Sequence, residues 1–251
     1  RGGKMAQPWT DSNPVTVLGT VQLKFVIRSD VRVAKPVLAL EESTRAKIEL
    51  DGKPVSGSPG AEWVDPCMRQ MALPALEPGE HTLIVSLPYT RRTNLEWHYL
   101  LGDFGVKVNG REAFLTEPVR ALAIGNWADQ GLPFYAGNVT YHFKLAGQGQ
   151  PTLLSIPQFQ SPLLSVAVDG KKVGRIAFAP YELELGSPST GEHSVDVTAF
   201  GNRANAFGIV HHTNQNPPWY GPAAWRVTGK DWTYDYNLRS MGILGAPVVK
   251  R

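Results

Sequence analysis

Residues 163–207 read LLSVAVDGKKVGRIAFAPYELELGSPSTGEHSVDVTAFGNRANAF. An alternating run, Leu164–Val168, meets an Asp169-Gly170 turn, and a second run, 173–178, returns from it. Asp-Gly between two alternating apolar runs is the strongest short-range signal of a β-hairpin, because both turn residues must tolerate positive φ. Pro180-Tyr181 makes an extended link. Thr190-Gly191-Glu192 turns the chain again, and residues 193–200 alternate as a long strand.

A shorter relative of this stretch lies earlier in the chain. Residues 46–55 read AKIELDGKPV and residues 79–85 read GEHTLIV. Asp51-Gly52-Lys53 matches Asp169-Gly170-Lys171, and Gly79-Glu80-His81 matches Gly191-Glu192-His193, at offsets of 118 and 112 residues. Self-similarity kept in order argues for two tandem copies of one fold. The other reading is coincidence between two common turn strings.

Working outward, strands are predicted over residues 15–28, 37–41, 47–50 and 81–87. Residues 68–73 read as a short helix or a strand. Residues 95–101 alternate, with Leu95, Trp97, Tyr99 and Leu101 on one face. Short strands spaced by turn signals are the β-sandwich pattern. Residues 102–120 read as a hairpin turning at Asn109-Gly110, and the boundary between two domains is placed here, giving 1–104 and 105–251. Further strands are predicted over 139–145, 152–156, 233–238 and 241–249, with an irregular aromatic loop before residue 233. No amphipathic helix of twelve or more residues is present. The expected fold is all-β, two tandem antiparallel β-sandwiches.

Composition agrees. Of 251 residues, 42% are apolar, enough for real cores, and 25 Gly with 20 Pro suit a turn-rich β protein. Lys and Arg total 25 against 22 Asp and Glu, a near balance with no basic cluster to face a nucleic acid. No apolar run approaches the ~20 residues that span a bilayer. The single cysteine, Cys67, allows no internal disulfide and carries no nucleophile signature, so it reads as a buried structural residue. The chain begins at Arg1 with no secretory leader, which reads as a piece of a longer protein.

Three stretches resemble the galactose-binding-like jelly rolls that serve as accessory domains in multidomain bacterial glycoside hydrolases. WADQGLPFYAGNVTYHF (127–143) resembles the loop and first strand of the sugar-binding domain of glycoside hydrolase family two. SVAVDGKKVGRIAFAPYELEL (165–185) and GEHSVDVTAFGNRAN (191–205) are similar to its later hairpin and strand, with His193 where Asn is usual. LLGDFGV (100–106) is similar to a segment of rhamnosidase-type enzymes. The resemblance implies a jelly-roll fold, a parent glycoside hydrolase whose catalytic domain is a partner, and a structural calcium whose ligands the sequence does not name. It implies a secreted or periplasmic location. The motifs are structural, and fold alone never sets function.

Chemistry inside the chain is sparse. A glycosidase needs two carboxyls across the scissile bond. Asp231, Asp235, Asp129, Asp103 and Glu96 lie near aromatics, but none stands in a recognisable signature. His211-His212 are neighbours that a strand would point to opposite faces, poor co-ligands for one metal. No catalytic residue and no cofactor is assigned.

Sugar binding is better provided for. Pyranose rings dock on exposed aromatic faces flanked by polar side chains. The candidate ligand-binding residues are Trp127, Asp129, Gln130 and Tyr135 on one loop, and His212, Asn214, Trp219, Tyr220, Trp225 and Trp232 on the other. The competing reading is that these rings pack the loops onto the sandwich. The expected function is a non-catalytic C-terminal part of a larger glycoside hydrolase that binds carbohydrate or buttresses the catalytic domain. A purely structural interdomain module and a stand-alone β-sandwich enzyme are the alternatives.

Overall fold

The computed structural model describes residues 15–251 apart from 92, 94, 220, 222, 223 and 226. The fold is all-β, with 42% strand against 4% helix and several antiparallel sheets, as in a β-sandwich. Two compact units divide the described chain. One holds the residues up to Gly105 together with Ala113–Pro118; the other holds Val106–Glu112 and Val119–Arg251. The chain therefore passes between them more than once around the Asn109-Gly110 turn. No described helix is long and apolar enough to cross a membrane.

The strands of the first stretch are β1 (Gly19–Ser29), β2 (Val37–Leu40), β3 (Lys47–Leu50), β4 (Lys53–Pro54), β5 (Glu62–Trp63), β6 (Asp65–Ala72), β7 (Gly79–Tyr89), β8 (Tyr99–Leu101), β9 (Gly105–Asn109) and β10 (Glu112–Thr116). In the first unit one sheet runs β4-β3-β7-β1-β10 and another runs β5-β6-β2-β8. β1 and β7 pair antiparallel over their full lengths, from Gly19 opposite Tyr89 to Ser29 opposite Gly79. β1 and β10 are parallel at Arg28–Ser29, one exception to the antiparallel expectation. Alternation buries Leu83, Val85 and Leu87 of β7 and Ile48 and Leu50 of β3, and Leu38 and Leu40 of the second sheet are buried too. Each such side chain stabilises the unit by about 1.5–3 kcal/mol.

The second unit continues with β11 (Val139–Gly147), β12 (Leu153–Ser155), β13 (Phe159–Gln160), β14 (Leu164–Val168), β15 (Lys171–Ile176), β16 (Glu182–Glu184), β17 (Gly191–Ala199), β18 (Gly242–Ile243) and β19 (Val248–Lys250). Its main sheet is β11-β17-β14-β15, with β16-β12-β19 and β13-β18 as smaller sheets. Leu164 and Val166 of β14, Val195, Val197 and Ala199 of β17, and Tyr141 and Leu145 of β11 form one core with Trp127, Met241 and Ile243.

The repeat becomes one motif built twice. Asp51-Gly52 and Asp169-Gly170 all have positive φ, as the hairpin turn requires. In the first unit His81 Nδ1 lies 2.7 Å from Asp51 Oδ2 and its Nε2 lies 2.7 Å from the Glu77 carbonyl oxygen. In the second, His193 makes the same contacts with Asp169 Oδ2 at 2.6 Å and the Ser189 carbonyl at 2.9 Å. The other carboxylate oxygen accepts the backbone N–H of Thr82 at 2.8 Å, or of Ser194 at 3.0 Å. The Asp backbone N–H donates back to the Thr82 or Ser194 carbonyl. We call this unit of contacts the staple.

Several local expectations are corrected. Strand β1 starts at Gly19, and Val15, Val17 and Leu18 before it are exposed. Residues 68–73 lie largely on strand β6. Only Tyr99–Leu101 of 95–101 is strand, and Leu95 and Trp97 stand exposed. Residues 233–238 form no strand. The tail is two short strands in different sheets, β18 and β19. Between them the N–H groups of Leu244 and Gly245 both donate to the Gln158 carbonyl. Phe178 is not in a strand but 86% exposed, in a turn closed by the Tyr181 N–H on the Phe178 carbonyl. Cys67 is exposed, and its hydrogen bond with Asp65 pushes the thiol pKa up, which keeps it protonated and unreactive.

Candidate functional site

Among its described residues the loop from His211 to Arg239 holds no strand beyond an isolated bridge between His212 and Trp232, and side chains take up further backbone groups. Asn205 is buried; its Nδ2 donates to the Arg239 carbonyl at 2.9 Å and its Oδ1 accepts the Arg239 N–H at 2.9 Å. Gln215 Nε2 donates to Asn237 Oδ1 at 2.7 Å and to the Leu238 carbonyl. Asn237 Nδ2 donates to the carbonyls of His212 and Thr213 at 2.9 and 3.3 Å. Thr213 N–H reaches the Asp231 carbonyl, and Thr233 N–H reaches that of His211. These amides tie the two ends of the loop together. Within 233–238 the N–H groups of Thr233, Tyr236 and Asn237 donate to the carbonyls of His211, Gly110 and Val210, and no strand forms.

On that frame the rings form a continuous series. Phe134 meets Tyr236 edge-on at 5.3 Å, and Tyr236 meets His211 at 4.6 Å. His211 lies 6.5 Å from Trp232, which meets Tyr234 edge-on at 4.2 Å. The series runs from inside to outside. Burial raises the Tyr236 phenol pKa, whereas Tyr234 at the far end is 66% exposed. Two further rings of the loop are open to solvent, Trp219 at 67% and Trp225 at 45%. The Trp219 indole lies against Gly221, where any side chain would collide with it.

The sequence candidates divide accordingly. Trp127 is corrected outright: it is fully buried in the core of the second unit, so its ring offers no face to a ligand. It sits in a one-turn 3-10 helix, Trp127–Gln130, capped by Asn126 Oδ1 on the Ala128 N–H. Its backbone N–H donates to the Met241 carbonyl, while its indole Nε1 is buried without a partner. Gln130 is spent on the backbone, accepting from Ala123 N–H at 2.8 Å and donating to the carbonyls of Ala123 and Asn126. Asp129 is exposed. Tyr135 is exposed, edge-on to Trp127 at 6.3 Å, with its ring against Gly137.

On the second loop His212 is half-buried, and its Nδ1 accepts the Asn214 N–H at 3.0 Å. Asn214 Oδ1 in turn accepts the Asn216 N–H. Trp232 is half-buried, and Trp219 and Trp225 are exposed. Tyr220 lies outside the described residues. Tyr234 was missed, although the alternation Trp232, Tyr234, Tyr236 was there to be read.

One constellation imitates a hydrolase triad. Ser189 Oγ, His193 and Asp169 stand in line, with Oγ 3.5 Å from Nε2. Nε2 faces the Ser189 carbonyl at 2.9 Å, and only an N–H can sit against a carbonyl oxygen. The ring therefore has no lone pair with which to deprotonate a serine. The first unit repeats the geometry with Glu77 at the serine's place, so the arrangement is structural. Among the described residues no group of three or more His, Cys, Asp or Glu comes together as metal ligands.

No family model matches the chain, and no curated protein matches it in sequence. Among solved structures it is similar to a rhamnosidase from Novosphingobium sp. PP1Y at 15% identity and a TM-score of 0.36, covering 91% of this chain and 22% of that one. It is also similar to the apo form of a Pleurotus ostreatus lectin at 10% identity and a TM-score of 0.24, covering 76% of this chain and 69% of the lectin. An anti-sigma factor domain-containing protein matches at 8% identity and a TM-score of 0.23, covering 73% of this chain and 76% of that one. No residue role is carried over from any of them.

Proposed function

We propose that this chain is a non-catalytic carbohydrate-binding module of a larger, secreted or periplasmic bacterial glycoside hydrolase, and that a saccharide docks on the open rings of the 211–236 loop. The observation that carries the reading is the exposure of Trp219, Tyr234 and Trp225 on a loop whose frame is tied down by the amides of Asn205, Gln215 and Asn237. Aromatic rings cost free energy when left in water, and a sugar's C–H face recovers it. A covered Trp or Tyr buries ~150–250 Å². Covering one face of a ring is therefore worth about 2–3 kcal/mol gross at about 25 cal/mol per Å². One ring does not offset the lost freedom of association, so two or more rings, with hydrogen bonds from neighbours such as Asn214 and Asp231, must act together.

The buttressing half of the proposal rests on the first unit. Val15, Val17 and Leu18 are exposed beside Tyr89, which Leu18 meets through a backbone hydrogen bond, and Leu95 and Trp97 are exposed as well. Apolar groups left open in this way suit a surface that a catalytic domain covers. A panel of neutral oligosaccharides, read by calorimetry and Trp fluorescence, tests the binding half. A saturable signal that W219A or Y234A weakens supports it. A panel without any signal leaves the buttressing role as the function.

A further inference from the structure

We infer that the two staples form a duplicated proton-dependent clamp: in each unit a doubly protonated imidazole ties the Asp-Gly hairpin to the turn before the long strand, and loss of one proton releases the tie. The geometry requires the cation. Nδ1 of His81 and of His193 faces a carboxylate oxygen, and Nε2 of each faces a carbonyl oxygen. Both partners only accept, so both nitrogens must carry hydrogen. A neutral ring would leave one nitrogen lone pair pressed against an oxygen at 2.6–2.9 Å.

The surroundings agree in both units. Around His81 stand Asp51 from the β3–β4 turn, with Lys53 beside it, and Glu77, whose carboxylate is held by Arg32 at 2.8 Å. Glu80 on β7 is paired with Arg28 of β1. Around His193 stand Asp169, the Ser189 hydroxyl and Ser194, with Gly147 of β11 against the ring. Glu192 on β17 is paired with Lys144 of β11. Lys171 and His193 line the same cleft of about 300 Å³.

Burial pushes the His81 pKa down, but the bonds to Asp51 and the Glu77 carbonyl outweigh it, and the result lies above the ordinary 6.5. The bond to Asp169 raises His193 in the same sense. The bond from His81 lowers Asp51, and the bond from His193 lowers Asp169. The sign follows from linkage. The histidine contribution is fully present below pH 6.5 and is lost as pH rises through the raised value. The aspartate contribution is present above pH 3.8 and is lost as pH falls through the lowered value. The clamp is closed between these limits, in both units together.

The test is a titration of the six histidines of the whole chain by long-range proton–nitrogen NMR. His81 and His193 are expected to keep both ring protons above pH 6.5, the ordinary imidazole value. D51N is expected to lower the midpoint of His81 alone, and D169N that of His193 alone. A neutral tautomer at either ring at pH 6, or midpoints no higher than 6.5, would overturn the inference. The wild-type titration decides the matter even where a variant fails to fold.

Discussion

The staple and the aromatic loop carry opposite lessons. The staple occurs in both units, with the same residue types, nearly the same distances and the same signs of pKa shift. The aromatic loop belongs to the second unit alone and has no counterpart in the repeat. A set of contacts that both units keep belongs to their local structure. What stands once, and leaves large rings in water, is where an interaction is to be sought.

The comparison breaks most severely at Trp127, which belongs with the fold despite its place in an aromatic loop. W127A removes the largest fully buried side chain and is expected to cost about 3–5 kcal/mol in urea unfolding of the second unit. A loss under ~1 kcal/mol would return Trp127 to the surface set.

The two copies also differ on the strand that pairs with the long one. Gly147 stands opposite Gly191 in the second unit, where Ser29 stands opposite Gly79 in the first. A Cβ on Gly147 would come within 2.1 Å of the Ser189 carbonyl and 2.8 Å of the His193 ring. G147A is therefore expected to cost roughly 1–3 kcal/mol by overpacking. S29A loses a hydrogen bond to the Val31 carbonyl and is expected to cost only about 0.5–1.5 kcal/mol. Equal losses would mean that Gly147 is not packed tightly against the Ser189 carbonyl and the His193 ring.

H81Q and H193Q sharpen the comparison by pH. Each variant is expected to melt below the wild type at pH 6, and the gap is expected to close as pH rises through the raised imidazole values. The first unit adds a counter-current. His98 is held below the ordinary value by burial, and its Nε2 is buried without a partner. Its contribution falls as pH drops below 6.5, because the unfolded chain then takes up the proton first. Acid melting is expected to affect the first unit before the second, a difference that H98F should erase.

The smallest effects on stability are expected on the aromatic loop. W219A and Y234A should each change unfolding by no more than about 0.5 kcal/mol, since both rings are two-thirds in water. G221A should be as mild in stability, yet it displaces the Trp219 indole and so should weaken any ligand that the ring holds.

Where the sequence was readable, the signal was local. Asp-Gly and Gly-Glu-His lie in chain-adjacent turns whose geometry those residues require, so the hairpins and long strands were legible. The staple needed one further step, the recognition that aligned Asp and His meet across the sheet. Trp127 was not legible as core, because what buries it is Met241 and Ile243, more than a hundred residues away. Residues 95–101 and 233–238 alternate well enough for strands, but alternation says nothing about whether a partner edge is free. Gln130 looked available to a sugar and is instead spent on backbone groups that local structure left open. Trp232, Tyr234 and Tyr236 alternate without distinction in the sequence, and only the fold tells the exposed ring of Tyr234 from the others.

The most direct test of the account is calorimetric titration of wild type, W219A, Y234A and W127F with the best oligosaccharide of a neutral panel. The account predicts saturable binding that falls at least several-fold in W219A or Y234A while their melting is unchanged, with W127F binding as the wild type does. Binding that survives the loss of both exposed rings, or that is abolished only by the change at Trp127, would contradict it.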